Sequence, residues 1–375
     1  MTNLLYDKVL GCLAGSNIGS AMGAAVEGWP PERIAAEYGV LTELLPYAHY
    51  THYDKPGAGR LRPAGTTEDG IERQRLMCTA IIEKGGRITA ADLAAIWVRD
   101  INPANFGVQM EPCDEVLYRA VMAGIPPTDA GRYTNFLGIN SFARSGHPIG
   151  LINACDVPQA IADTYEIGQL YQARHGYGLD YGAAVNAGIA EAMKPNATVD
   201  SVVQAGLDAL PAGDTNQQPK RELAWAIELA QSSADVWEMR DKFYARYNGS
   251  GTPYAMSWAQ EVITKGFAIF YQTKGNCYDA IVAGVNFGRD TDCVAAVAAG
   301  LAGALEGTRN IPAEWIDTVD EATLQNEYTV SQRLLRPTAQ GITQAIINEM
   351  NRKKQVVADL EAALNQNQIA DGEGA

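Results

Sequence analysis

The sequence predicts an all-α protein, and three observations carry that expectation. Apolar residues recur at helical spacing in one segment after another, the segment ends hold helix start and stop signals, and no strict polar–apolar alternation runs long enough to argue a sheet. The 375 residues are 47% hydrophobic, 19% charged and 8% aromatic, which allows a sizeable core and excludes intrinsic disorder over most of the chain.

Residues 4–25 form the first helix. Gly11, Gly15, Gly19 and Gly23 make a smooth stripe on it where a neighbour can approach closely. The uncharged run Val9–Val26 nears membrane-spanning length, but its residues are mostly small and its start is not basic. It reads as a buried helix rather than a span or a signal peptide. Pro30-Pro31 opens a short second helix, since proline suits a first turn. Residues 38–65 lack periodicity and read as an ordered loop. Thr66 or Thr67 caps a helix that runs to Lys84 and stops at Gly85-Gly86. Thr89 and Asp92 form a capping box for the next helix, which ends near Asn102-Pro103. Pro112–Ala123 is helical, and residues 125–155 are glycine-rich and broken. Helices return over 157–174, 179–193 and 198–209. A polar loop at 211–220 precedes helices at 220–231, 234–246, 257–272, 276–286 and from Asp290 to Glu306. Pro312 starts a short helix.

From Ser331 to Asn365 the text is helical again. Leu334, Ile342, Ile346, Met350, Val357, Leu360 and Leu364 lie on or near one stripe, which suggests packing on the body or on a second subunit of a homo-oligomer. Pro337 and Gly341 interrupt its start and weaken a coiled-coil reading. The chain therefore divides into an all-α body, residues 1–325, and a C-terminal helical extension, residues 326–375, with a disordered tail.

Charge and motifs narrow the function. Forty-four acidic residues against 29 basic ones give −15, so nucleic acid is not expected as a partner, and no membrane segment is expected either. The six cysteines form no CxxC pair, which argues against a zinc ribbon and for a reducing, cytoplasmic compartment. No GxSxG elbow, GxGxxG or Walker A pattern is present. His49, His52 and Asp54 read as a polar loop and His175 as a helix cap. Tyr47, Tyr50 and Tyr53 either stack on a ligand ring or pack the loop.

Two acidic segments, each just ahead of a helix, carry the chemistry. One is Gly65-Thr66-Thr67-Glu68-Asp69-Gly70, the other Gly288-Arg289-Asp290-Thr291-Asp292-Cys293. Singly, each is explained by helix capping and the helix dipole. Together they offer the carboxylate and hydroxyl oxygens that hard divalent cations prefer, and metals between them would relieve their mutual repulsion.

With these segments in view, the chain resembles the ADP-ribosylglycohydrolase family, which includes dinitrogenase-reductase-activating glycohydrolases and a lens crystallin. The resemblance spans roughly residues 5–316. It rests on Lys8-Val-Leu-Gly-Cys-Leu-Ala-Gly15 through Glu27-Gly28, on Thr67-Glu68-Asp69 and on Gly288 to Cys293 with the Ala/Gly-rich helix after it. It implies a compact orthogonal multi-helix bundle and a two-metal centre, magnesium or manganese. Thr67, Glu68, Asp69, Asp290, Asp292 and, where the family has Thr or Ser, Cys293 take the ligand positions. It implies hydrolysis of a ribosyl N- or O-glycosidic bond by a metal-activated water, with Glu27 or Asp69 accepting the proton. The substrate is a small-molecule or protein-linked ribosyl compound, ADP-ribosyl first. Asn140, Arg144, Ser145, Gly146, His147 and Gly288 are the expected substrate contacts. The central loop departs from the family's Ala-Met-Arg text, which keeps another N-ribosyl compound or nucleoside open as substrate. Cys293, and Ser16 in place of Asp, keep open a non-catalytic binding or structural descendant.

Overall fold

The computed structural model describes residues 3–48, 59–134, 137–174, 177–211, 218–247 and 256–370, the last five without side chains. Helix α1 (Leu4–Ala24) and α2 (Pro31–Tyr38) open the chain, and strands β1 (Tyr47–Ala48) and β2 (Leu61–Arg62) follow. Next come α3 (Asp69–Lys84), α4 (Ala90–Asp100) and α5 (Pro112–Met122). The broken segment folds into short helices: α6 (Pro127–Ala130), α7 (Ser141–Ser145) and α8 (His147–Ile152). Then come α9 (Val157–Ile167), α10 (Tyr177–Ala192), α11 (Val199–Ala209), α12 (Gln218–Gln231), α13 (Val236–Tyr244), α14 (Ala259–Gln272), α15 (Cys277–Val285) and α16 (Thr291–Glu306). Finally α17 (Ala313–Gln325) leads to α18 (Leu335–Ala370).

The fold is all-α. Its one sheet among the described residues pairs β1 and β2 antiparallel, with Tyr47 opposite Arg62. Two residues per strand are too few for alternation to reveal in a sequence.

The body is organised on α1 and α16, both buried along nearly their whole length. They run antiparallel: Gly11 faces Gly303 and Gly307, Gly15 faces Ala299, Gly19 faces Ala295 and Gly23 faces Asp292. A Cβ on Gly19 would lie 2.7 Å from the Ala295 carbonyl, and one on Gly23 2.5 Å from the Asp292 backbone nitrogen. Backbone therefore packs on backbone, which only glycine permits. The stripe ends at Gly23, so the end of α1 abuts the start of α16. Helices α10, α14 and α15 pack around this pair. No helix among the described residues is long and apolar enough to cross a membrane.

The caps differ in one place from the expectation. Thr89 and Asp92 form the box that opens α4. At α3, however, Glu68 occupies the cap position, and no side chain caps the helix. The Thr66 hydroxyl instead donates to the Pro63 carbonyl at 2.8 Å, and the Glu68 carboxylate is drawn elsewhere. Residues 157–174 also hold α9 and a 3-10 turn (Gly168–Leu170) rather than one helix.

Helix α18 carries Pro337 in its first turn, where proline is tolerated. Gly341 lets Ile82 of α3 approach. Leu335, Ala339, Ile342, Ala345 and Ile346 are buried. That face packs on α1, α3 and α8, whereas residues 351–365 are all exposed. Buried Glu72 of α3 ties down the approach to α18. It accepts from Thr329 Oγ1 and the Val330 nitrogen, each at 2.8 Å, and pairs with Arg75 at 2.5 Å. The last five residues, 371–375, lie outside the described residues.

Two stability outcomes follow from this packing. Gly19→Val is expected to destabilise the protein by at least about 1–3 kcal/mol, the usual range for overpacking. Glu72→Ala strands Arg75 without its buried partner and is expected to cost about 3–5 kcal/mol. Denaturant unfolding checks both; midpoints equal to wild type would refute the packing described.

Candidate functional site

The two acidic segments meet where α1 ends and α16 begins. The turn after α1 is joined to the loop before α16 by two backbone bonds of 2.8 Å, Gly28 N to the Arg289 carbonyl and Arg289 N to the Trp29 carbonyl. Gly28 (φ 79°), Gly288 (φ 80°) and Arg289 (φ 66°) all take left-handed backbone. Arg289 is the costly one, because its Cβ disfavours that region. Glu261 of α14 holds it there through paired contacts of 2.7 and 3.0 Å, and the fully buried Lys265 closes on the same carboxylate at 2.6 Å. The result aims Asp290 and Asp292 inward. Across from them stand Thr67, Glu68 and Asp69 at the start of α3. Glu27 lies within the field of all four other carboxylates. Burial first, and then the charges of Asp292, Glu68, Asp290 and Asp69, hold its pKa well above the usual carboxylate range.

Buried cations answer most of this negative charge. Glu68 accepts from the Tyr47 hydroxyl at 2.6 Å and from Arg62 at 2.9 Å. Asp69 pairs with Arg73 at 2.5 Å, and Arg73 also grips Asp114 through contacts of 3.0 and 2.7 Å. Asp292 Oδ2 accepts from Arg144 at 2.6 Å, and the same guanidinium donates to Cys293 Sγ at 3.2 Å and Ser20 Oγ at 3.1 Å. Gly70 makes room for that guanidinium, since a Cβ there would collide with it. Asp290 Oδ2 accepts from Asn140 at 3.1 Å. Burial pushes the Cys293 thiol well above its ordinary pKa, and the Asp290 and Asp292 charges add to this. Glu27 keeps part of its surface exposed although its carboxylate is enclosed, and it has no ion pair among the described residues.

Two oxygens remain unanswered. Asp290 Oδ1 and Asp292 Oδ1 are buried without a hydrogen-bond partner. With Cys293, these two residues form a group in which one ligand atom from each lies within 4.8 Å of the others. Buried, unpaired carboxylate oxygens are costly, and a divalent cation would satisfy both at once. This donor set fits a metal. The facing carboxylates of Glu68 and Asp69 already carry guanidinium partners.

The other expected site residues fall out differently. Thr67 is buried, and its carbonyl accepts from Gln109 at 3.0 Å. Asn140 does reach the acidic cluster. Arg144, Ser145, Gly146 and His147 were expected to contact substrate, yet all four are interior, because α7 and α8 wedge between α3, α10 and α16. Gly146 packs under Asn186 and His147 against Gly300 of α16. The His147 Nδ1 lies 3.2 Å from Gln74 Nε2, which donates to Ser16 Oγ at 2.8 Å, so Ser16 keeps a hydrogen bond here. Burial and then Arg144 lower the His147 pKa to about 3, leaving the ring neutral. Gly288 sits under the Tyr244 hydroxyl and Pro31 and serves the turn. The Tyr47 hydroxyl is committed to Glu68 rather than to a ligand ring. His49, Tyr50, His52, Tyr53, Asp54 and His175 lie outside the described residues. Sequence reasoning missed Arg62, Arg73, Ser20 and the Glu261–Lys265 pair. Only Asp69–Arg73 and Glu261–Lys265 carry a readable signal, the four-residue spacing of a helical ion pair.

Comparison with known proteins bears on this arrangement. The family description ADP-ribosylglycohydrolase matches residues 1–353. The chain is 25% identical over 329 residues to the ADP-ribosyl-[dinitrogen reductase] glycohydrolase of Rhodospirillum rubrum, covering 84% of this chain and 91% of the relative. It is 26% identical over 320 residues to the uncharacterized protein YegU of Escherichia coli K12, covering 81% and 89%. A solved ADP-ribosylglycohydrolase-related protein complex shares the fold, with a TM-score of 0.60, 16% identity and coverage of 91% of this chain and 97% of that one. The match takes in the stripe on α1, both acidic segments and the buried half of α18, and the chain belongs to the ADP-ribosylglycohydrolase family of hydrolases.

Proposed function

We propose that the chain hydrolyses a ribosyl glycosidic bond, an ADP-ribosyl bond first, at the carboxylate cluster between α1, α3 and α16, with a divalent cation held by Asp290 and Asp292. The observation that carries this reading is the pair of buried, unpartnered oxygens on those two residues. Magnesium or manganese bound there supplies a positive centre for ribose hydroxyls and lowers the pKa of a water. The chain's own residues do the rest. Asn140 and Arg144 engage Oδ2 of Asp290 and of Asp292, which leaves Oδ1 of each to the cation. Arg62 and Arg73 neutralise Glu68 and Asp69, so that half of the cluster needs no second cation, where the family resemblance implied two. Glu27, whose raised pKa favours the protonated acid, has no ion pair among the described residues, so its carboxyl can give up a proton and take it back. Asp69 is engaged by Arg73 and is the less available of the two carboxylates.

The interior position of Arg144 to His147 favours a second reading. Residues that would have grasped a pyrophosphate lie buried within the fold, which suits a smaller N-ribosyl compound or nucleoside. Assays of ADP-ribosylated protein and of a nucleoside panel, read as released ADP-ribose or ribose, separate the two. Release of ADP-ribose from modified protein alone sinks the second reading.

Calorimetric titration is expected to give one manganese per chain; two would mean that an arginine yields its carboxylate. Asp290→Asn and Asp292→Asn are each expected to abolish that binding and to lower hydrolysis by at least about 100-fold, as does EDTA. Hydrolysis unaffected by all three would overturn the metal site. Cys293→Ser is expected to tighten magnesium and weaken cadmium, because an oxygen replaces a soft sulfur donor. Unchanged affinities for both ions would show that Sγ does not face the cation.

A further inference from the structure

The exposed half of α18 carries a stripe that nothing among the described residues covers. Ile346, Met350, Lys353, Val357, Leu360 and Leu364 follow one another in alternate steps of four and three, the spacing of a helix seam. Ile346 is buried against the body, and the same face then runs beyond it. Met350 is 44% exposed, Val357 53%, Leu360 61% and Leu364 72%. The body holds this stretch only near its base, where Lys353 pairs with Asp156 at 2.5 Å and Arg352 donates to the Gly85 carbonyl at 3.3 Å. A groove of about 420 Å³, lined by Ile152, Ala154, Met350 and Val357 among others, opens beside the stripe. An isolated helix of this length is marginal in water, and large apolar side chains along it need cover.

We propose that this stripe docks a second copy of the chain, the two α18 helices pairing antiparallel about a point between Val357 and Leu360. The flanking charges select that arrangement. With Val357 opposite Leu360 of the second copy, Lys354 faces Glu361 of the second copy, and the pair is repeated by the two-fold symmetry. A slip of one heptad brings either Lys354 against Lys354 or Glu361 against Glu361, so like charges oppose both alternatives. A parallel pair sets Lys353 against Lys353 in the seam, whereas the antiparallel one sets it against Leu364. Antiparallel pairing also puts the two bodies at opposite ends of the seam, which residues 351–365 extend by about 22 Å. The groove beside Met350 then receives the far end of the second helix.

Light scattering on the eluting full-length chain, repeated over a dilution series, tests the pairing. The wild type is expected to run with the mass of a dimer and to dissociate on dilution. Leu360→Lys with Leu364→Lys is expected to give a monomer whose body melts at the wild-type temperature. Lys354→Glu alone is expected to lose the dimer, and Lys354→Glu with Glu361→Lys to regain it. A wild type that is monomeric throughout, or a dimer that survives Leu360→Lys with Leu364→Lys, overturns the proposal. A dimer insensitive to Lys354→Glu overturns the antiparallel register. A monomer that sediments with anionic phospholipid vesicles assigns the stripe to a membrane surface and also overturns it.

Discussion

Everything in this molecule depends on two helices touching through their backbones. With glycine at four successive turns of α1, no side chain separates it from α16, and the axes close to a distance that ordinary residues forbid. The contact is rigid because no rotamer can adjust it. It runs to the last turn of α1, so it also fixes where the chain emerges. Glu27 leaves one helix where Asp290 and Asp292 enter the other, and residues more than two hundred positions apart in sequence share one site. Helices α10, α14 and α15 then enclose a pair that cannot spread.

The second constraint is charge. Glu68, Asp69, Asp290 and Asp292 stand close together, three of them buried, an arrangement that no fold tolerates without compensation. Arg62, Arg73 and Arg144 provide most of it, each reaching in from a different element. Guanidinium groups remain protonated and present several donors in a plane, so they can hold a carboxylate and brace a neighbour at once, as Arg73 does with Asp69 and Asp114. What they leave uncompensated is one buried oxygen each on Asp290 and Asp292, the kind of acceptor a divalent cation satisfies. The cysteine beside it offers a thiol held in its neutral form by burial.

How much of this was legible in the sequence depended on whether the signal was local. The all-α class, the glycine stripe, the Thr89–Asp92 box and the two acidic segments were readable, because each is a short pattern whose physics acts within a few residues. The Tyr47–Arg62 clamp on Glu68 was not, since a two-residue strand pair leaves no periodicity. The central loop's burial was hidden for a related reason. Glycine, serine, histidine and arginine in close succession read as a broken loop with substrate contacts, but Gly146 and Gly150 let α7 and α8 pack tightly on α10, which puts the polar side chains inside. Polarity in a sequence reports which groups need partners, without saying whether water or protein provides them.

Gly70 and Arg144 lie seventy-four positions apart, yet they behave as one unit. The space that the missing Cβ leaves is the space the guanidinium fills. Volume and charge at this spot are therefore interlocked. A larger residue at 70 expels the cation and bares Asp292, while a smaller neutral one at 144 leaves both a void and an unmatched negative charge. The two positions are therefore expected to be coupled: the cost of changing both together differs from the sum of the two separate costs, because each change alters the setting in which the other is felt.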